Sequence, residues 1–304
     1  MRALNALLLL LPVAASAQRI VRFISDDGNE YTGDAILPEN STDARFSTSA
    51  RVIEGDIFTD FNITNTVKSI TQLLAPIPPE RTRSVRCVGF NYGSHDMETN
   101  ITIPSFPILF FKPWTSLAGP TDFVPVTSGY QNQTNFTSSM DYEGELVVVI
   151  KDKVFNISDP SEALSHVLGY ATGYDVSHRG WQIDRGGEPQ PQFSMGKDAD
   201  GWAPWGPALT LANEIPDPQQ LLLQTFVNGT MKQNATTADM IFGVADIVSF
   251  FSMGITLHPG DIIFTGTPGG TQLGSPNPLW LTNGDIVTVS ISDLGTIENQ
   301  LRFT

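Results

Sequence analysis

The stretch Met140–Ile150, MDYEGELVVVI, constrains this chain more than any other. Its second half, Leu146–Ile150, is a run of five apolar residues that stops at Lys151-Asp152-Lys153. A short β-branched run bounded by charge reads as a buried strand. Its first half carries Asp141, Glu143 and Glu145, with Tyr142 and Gly144 between them. Alternate side chains of a strand share a face, so these carboxylates point one way at the mouth of a buried element. Two arrangements make such a row tolerable. One is a solvated sheet face, where lysines and water screen the charges. The other is a hard divalent cation held by oxygen ligands. The abrupt passage into the apolar run adds weight to the second.

Other residues extend this pattern. Asp175 ends the apolar LGYATGY and precedes SHRGWQ. With Arg179 and Gln182 close behind, it reads either as the wall of a site or as a turn cap. His95 and Glu98 stand three apart in NYGSHDMETN. If that segment is helical they face each other, and a carboxylate beside an imidazole orients a general base. The bland reading is an exposed polar loop. Lys197, after Gly196 in SMGKDADGW, can direct a cation into a cavity. His166 and His258 read as structural or surface residues; His178 lies near the site segment without an assigned role.

Several chemistries are excluded. The chain has no G-x-S-x-G elbow, no P-loop, no G-x-G-x-x-G fingerprint and no H-E-x-x-H. TGTPGGTQLG follows a strand but lacks the lysine of a phosphate loop. Cys87 is the single cysteine, so no internal disulfide forms, and its apolar setting reads as a small buried filler. The formal charge of −15 argues against nucleic acid and anionic membranes as partners.

The first residues, MRALNALLLLLPVAASAQ, carry one basic residue, an apolar run and then Ala15-Ser16-Ala17. This is the pattern of a signal peptide (residues 1–17) cleaved after Ala17, a membrane anchor being the alternative. Asn-X-Ser/Thr sequons start at Asn40, Asn62, Asn100, Asn132, Asn135, Asn156, Asn228 and Asn234. Together they lead us to expect a secreted or secretory-pathway glycoprotein with no membrane contact after cleavage.

Many short apolar runs punctuated by Gly and Pro suit a strand-rich fold. Residues 18–80 read as a small N-terminal domain. RIVRFISDDGNEYTGDAIL is a hairpin, TDFNITNTVKSITQLLAPIPPE a short helix stopped by prolines, and PIPPERTR a linker. Residues 81–304 form the second unit. Strands are expected at SVRCVGFNY, FPILFFKP and DYEGELVVVI. A helix capped by Asp159 or Ser161 continues through Ala163, Leu164, Val167 and Leu168. A hairpin turns at Asn228-Gly229, an amphipathic helix follows, and strands close the chain.

CVGFNYGSHDMETN, FFKPWTSLAG, DYEGELVVVI, GYATGYDVSHRGWQ, GKDADGWAPWGP, VNGTMKQ, LHPGDIIFTGTPGG and GDIVTVSISDLGTIEN occur in this order. Together, over roughly residues 84–303, they resemble the fumarylacetoacetate hydrolase family, and its short forms most. The resemblance implies a mixed, β-rich α+β fold, a sandwich or roll, in a homodimer. It implies Mg2+ or Mn2+ on Glu143, Glu145 and Asp175, and catalytic roles for Lys197 and the His95–Glu98 dyad. It also implies substrate contacts at Arg179, Gln182 and Thr267, and leaves Asp141 outside the metal shell, solvated at the strand entrance. Phe90 stands where Arg or Leu is common in the family. The implied activity is on a small 2-oxo acid or 1,3-dicarbonyl through a metal-stabilised enolate, with C–C bond hydrolysis first. Decarboxylation, tautomerisation or cyclisation of an enolisable substrate, and a non-catalytic secreted glycoprotein, stand as alternatives.

Overall fold

The computed structural model describes residues 18–99, 102–134, 137–184 and 192–304. The expectations placed on residues 1–17, Asn100 and Asn135 lie outside the described residues. The chain begins with an antiparallel meander of β1 (Arg19–Ile24), β2 (Glu30–Ala35), β3 (Ser49–Gly55) and β4 (Phe61–Ser69). Strand β5 (Gln72–Leu74) then returns to β1. There follow β6 (Val85–Gly89), α1 (Gly93–Thr99), β7 (Ile108–Lys112), β8 (Leu117–Ala118) and β9 (Val124–Val126). The middle of the chain supplies β10 (Met140–Asp141), β11 (Gly144–Ile150), α2 (Pro160–Ala163), β12 (Val167–Tyr174), β13 (Ser177–His178), α3 (Phe193–Lys197) and β14 (Ala203–Leu211). The last part supplies β15 (Leu222–Val227), β16 (Thr230–Thr236), α4 (Val244–Ser252), β17 (Ile262–Phe264), β18 (Ile286–Ile291) and β19 (Gly295–Phe303).

Among the described residues, one twelve-stranded sheet runs β4-β3-β2-β1-β14-β12-β11-β17-β6-β7, with β5 on β1 and β8 on β14. It is mixed, because β17–β6 and β14–β8 are parallel pairs. A five-stranded sheet runs β16-β15-β18-β19-β9. The fold is therefore the mixed, β-rich α+β architecture that the strand pattern implied.

Strand β11 lies deep in this arrangement, and all seven of its residues are buried. Leu146, Val148 and Ile150 pack in one apolar cluster with Tyr170, Leu223 and the α4 residues Val244 and Ile247. Val147 and Val149 pack in another with Cys87, Ala171, Trp205 and Phe264. A strand buried on both faces reads as an unbroken apolar run rather than an alternation, which is why Leu146–Ile150 looks as it does. Full burial of each such side chain contributes about 1.5–3 kcal/mol. Glu145 shares the face of Val147 and Val149, so a rigid, doubly packed element carries it.

Two elements differ from the sequence reading. The expected helix after Thr59 is instead β4 and β5. Its centre, Ile63-Thr64-Asn65-Thr66-Val67, is rich in β-branched residues, and β3 offers a ladder to pair with. The helix at Pro160 lasts one turn, with Asp159 accepting from the Ser161 amide. Val167 and Leu168 already belong to β12, where pairing with β11 and β14 overrides their helical spacing. The hairpins hold: β1 pairs with β2, and β15 turns into β16 through Asn228 and Gly229 at φ +47° and +75°. Positive φ at both turn residues is what an Asn-Gly hairpin turn requires. No helix among the described residues is long and apolar enough to cross a membrane.

Candidate active site and metal centre

The row of carboxylates forms where the strand path is interrupted between β10 and β11. Tyr174 pairs with Gly144 and Gly173 with Glu145. One step further, the Asp175 amide donates to the Glu143 carbonyl at 2.9 Å. Glu143 and Asp175 therefore oppose each other across the strand pair, on the face that carries Glu145. Carboxylate oxygens of Glu143, Glu145 and Asp175 lie within 4.8 Å of one another, and all three residues are buried. Gly144, between the two glutamates, faces the second sheet. A Cβ there would sit 2.2 Å from Thr225 Oγ1, so only glycine lets β11 approach this closely.

Three cations surround the carboxylates. Lys197 Nζ donates to Glu143 Oε2 at 2.7 Å, Asp175 Oδ2 at 2.8 Å and Ser177 Oγ at 2.6 Å. Lys112 Nζ donates to Asp175 Oδ1 at 2.7 Å and also to the Lys197 carbonyl. Arg179 pairs with Glu143 Oε1 at 2.6 Å and with Asp141 Oδ2 at 2.8 Å, and donates to Gln182 Oε1 at 2.9 Å. Burial alone would raise Glu143, but Lys197 and then Arg179 outweigh it and hold the carboxyl below the ordinary range. Burial would lower Lys197, yet Asp175 and Glu143 keep it above its ordinary value and charged.

The solvated Asp141 expected from sequence is corrected here. Its exposure is 0%, and it accepts from the amides of Tyr142, Gln272 and Leu273 as well as from Arg179. A buried carboxylate needs such partners, and Arg179 supplies a charge that local sequence does not reveal. Asp141 stands outside the metal-compatible cluster and holds Arg179 against Glu143.

Among the described residues, four buried carboxylates, Asp141, Glu143, Glu145 and Asp175, thus meet three cations, Lys112, Arg179 and Lys197. Glu145 is the acid without an ion pair among the described residues; it accepts from the Gly266 amide at 2.7 Å. Burial, and then repulsion from Asp175 and Glu143, pushes its carboxyl well above the usual range. An all-oxygen donor set with one uncompensated charge fits a hard divalent cation.

His95 lies on α1, as the helical reading of its segment requires. Its Nδ1 stands 2.7 Å from Glu98 Oε1. Glu98 is fixed in turn by the Gly270 amide at 2.7 Å and the Thr271 hydroxyl at 3.1 Å. Burial would raise Glu98, but the bonds from His95 and Gly270 lower it below its ordinary value. Phe90, at φ +50°, stacks on the imidazole with centroids 5.3 Å apart. Thr267 donates to the Gly144 carbonyl at 2.9 Å and accepts from Gln233 at 2.7 Å.

One cavity gathers these groups. His95, Glu143, Arg179, Gln182, Lys197 and Thr267 line it, and Glu145 and Asp175 lie behind Glu143 and Lys197. The rest of the described lining is Val88, Gly89, Phe90, Phe110, Phe193 and Leu273. Lys112, Ser177 and Gln233 were not singled out from sequence. Lys112 had a legible signal, since a lysine that closes the apolar run of FPILFFKP needs a buried partner. His166 and His258 lie off the cavity, against Asp152 and Arg83. His178 is buried beside Ser139 and the Tyr130 carbonyl. Cys87 is a buried filler whose thiol is pushed up by burial and then by Asp175. Asn40, Asn62, Asn132, Asn156, Asn228 and Asn234 are all exposed.

Known proteins share this arrangement of chain. The sequence pattern of the fumarylacetoacetate (FAA) hydrolase C-terminal domain matches residues 84–302. A fumarylacetoacetate hydrolase domain-containing protein 2 homolog from Dictyostelium discoideum is 38% identical over 242 residues, spanning 76% of this chain and 74% of its own. A mitochondrial oxaloacetate tautomerase, fahd2, from Xenopus laevis is 38% identical over 233 residues, 76% of this chain and 69% of its own. The crystal structure of a 2-hydroxyhepta-2,4-diene-1,7-dioate isomerase from Mycobacterium marinum is similar at a TM-score of 0.76 and 32% identity, covering 94% of this chain and 99% of that one.

Proposed function

Because this chain belongs to the fumarylacetoacetate hydrolase family, we propose that its site enolises a 2-oxo acid and thereby interconverts keto and enol forms. The observation that carries this reading is one cavity in which His95, oriented by Glu98, shares the walls with Glu143 and Lys197. Glu143, Glu145 and Asp175 would hold the divalent cation, Mg2+ or Mn2+. Bound there, the cation supplies Lewis-acid polarisation of the keto oxygen and stabilises negative charge that develops on it.

The chain's own residues do the rest. Glu98 occupies Nδ1 of His95, so a proton from the carbon beside the keto group is taken and returned through Nε2. Lys197 stays charged between Glu143 and Asp175 and faces developing negative charge from a fixed position. Arg179 and Gln182, bonded to each other, orient the carboxylate end, and Thr267 anchors the neighbouring loop to Gly144. The apolar lining excludes water from the reacting carbon. The Xenopus tautomerase and the mycobacterial isomerase support proton movement without C–C cleavage.

A second reading is C–C hydrolysis of an acylpyruvate or other 1,3-dicarbonyl. His95 Nε2 can equally take the proton of a water that attacks the distal carbonyl, with an enolate as leaving group. Decarboxylation needs the same enolate and no water. A non-catalytic glycoprotein is disfavoured by the complete carboxylate, lysine and histidine set. Proton NMR in D2O with Mg2+ separates these readings on a panel of oxaloacetate, acylpyruvates and aryl 2-oxo acids. Deuterium entry beside the keto group with the carbon skeleton intact is expected. Cleavage products would put hydrolysis or decarboxylation in its place, and no change in any compound would remove the enzyme reading.

The N-terminal pattern and the exposed sequon asparagines support passage through the secretory pathway, and the family resemblance supports a homodimer.

A further inference from the structure

A second groove lies outside the active site and shares no lining residue with it. Phe106, Phe250 and Met253 form its apolar part. The two rings stack with centroids 5.8 Å apart and planes 15° apart, yet Phe106 is 67% exposed. Stacked rings left open to water carry an unfavourable apolar surface unless something covers them. The same groove is lined by Asn156, Ile157 and Ser158, which form one of the sequons. Asn156 and Ser158 are exposed, while the backbone that carries them is pinned to α4. The Asn156 amide donates to the Ser252 carbonyl at 2.8 Å and the Ile157 amide to Ser252 Oγ at 2.9 Å. Ser249 Oγ donates to the Ile157 carbonyl at 3.0 Å. A group joined to Asn156 therefore starts from a fixed point in the groove wall. Asn156 also sits at φ +57°, a conformation that asparagine tolerates well. That turn explains the asparagine and not the open rings beside it.

We propose that Asn156 carries an N-linked glycan whose first sugars lie in this groove against Phe106 and Phe250; this rests on the secretory reading above. The glycan comes from a lipid-pyrophosphate-linked oligosaccharide of the secretory pathway. The Asn156 amide nitrogen bonds to its anomeric carbon, the bond from that carbon to the pyrophosphate oxygen breaks, and the amide gives up one proton. A hexosamine is amphipathic. The C–H groups of one ring face can turn to Phe106 and Phe250, while its hydroxyls and the rest of the glycan stay in water. Such a cover removes apolar area from water and leaves no polar group buried without a partner. Because it is covalent, its local concentration over the rings does not fall on dilution.

The test begins with the full chain expressed in a eukaryotic secretory pathway and its peptides mapped by mass spectrometry. A glycan on Asn156 is expected. Glycans on other sequons with Asn156 bare would overturn the proposal and keep the secretory reading; bare asparagines throughout would remove both. Ser158→Ala then deletes the sequon and leaves the turn at Asn156 intact. It should lower the melting temperature by about 2 °C or more, the scale of one aromatic contact in a chain of this length. Ser158→Thr keeps the sequon and should keep the melting temperature. In a Phe106→Ala background, where the altered side chain is mostly exposed, Ser158→Ala should shift nothing further. The same substitution should be silent in protein made by a bacterial host that adds no glycan. A glycan on Asn156 whose loss leaves the melting temperature unmoved overturns the packing. So does a Ser158→Ala effect that persists without Phe106 or without any glycan.

Discussion

Glu145 is the residue on which cation binding should turn. It lies between two other acids with no ion pair among the described residues. Glu145→Gln should therefore abolish Mg2+ or Mn2+ binding by calorimetry. The metal-free variant should melt at or above the temperature of the unaltered protein, because the amide keeps the acceptor for Gly266 and removes a carboxyl whose charged form burial and two neighbouring acids disfavour. Unchanged affinity would place the metal elsewhere. Lys112 behaves in the opposite way. Lys112→Met leaves Asp175 with one cation fewer in a site where both partners are 0% exposed. Breaking a buried pair from one side costs about 3–5 kcal/mol, readable as a fall in the denaturant midpoint. The pair Glu143 and Glu145 was legible because a strand has period two. The burial of Asp141 was not, because its cation, Arg179, stands thirty-eight residues further along the chain.

At the scale of elements, α1 depends on Glu98. That carboxyl titrates below its ordinary value in the folded protein, because His95 and Gly270 bond its charged form. A depressed carboxyl adds stability that is present above its unfolded value, about pH 4.3, and is lost as the pH falls through the lower folded value. The protection of the α1 amides against hydrogen exchange, relative to the free peptide at the same pH, should therefore fall with pH through this window, and Glu98→Gln should flatten that dependence. Protection that stays constant across the window in the unaltered protein would show that the Glu98 contacts do not hold the helix. Strand β11 is the opposite kind of element. Leu146→Ala opens a void in a closely packed cluster and should cost about 2–5 kcal/mol, measured by equilibrium unfolding. Its identity as a strand was legible from Leu146–Ile150 alone. Strand β4 was misread because its residues are half-exposed and polar, so only pairing with β3 decides their conformation.

At the scale of the whole molecule, the large sheet brings β6, β11, β12 and β17 side by side, and these strands carry or abut the site. The surface carries a further prediction. Expressed in a eukaryotic secretory pathway, the chain should begin at Gln18 and lose apparent mass on treatment with an N-glycosidase. An intact Met1 terminus with unchanged mobility would remove the secretory proposal. The sequence by itself determined the strand-rich class, the buried run of β11, the two glutamates on one face of it and the His95–Glu98 spacing, because periodicity and side-chain chemistry are local. The tertiary structure decided which charges neutralise which. Lys112, Asp141, Asp175, Arg179 and Lys197 come from four separate stretches, and only the closing of β11 against β12, with α3 and β7 over it, brings them within bonding distance. Electrostatic partnership depends on distance in space, and the chain carries no local record of that distance.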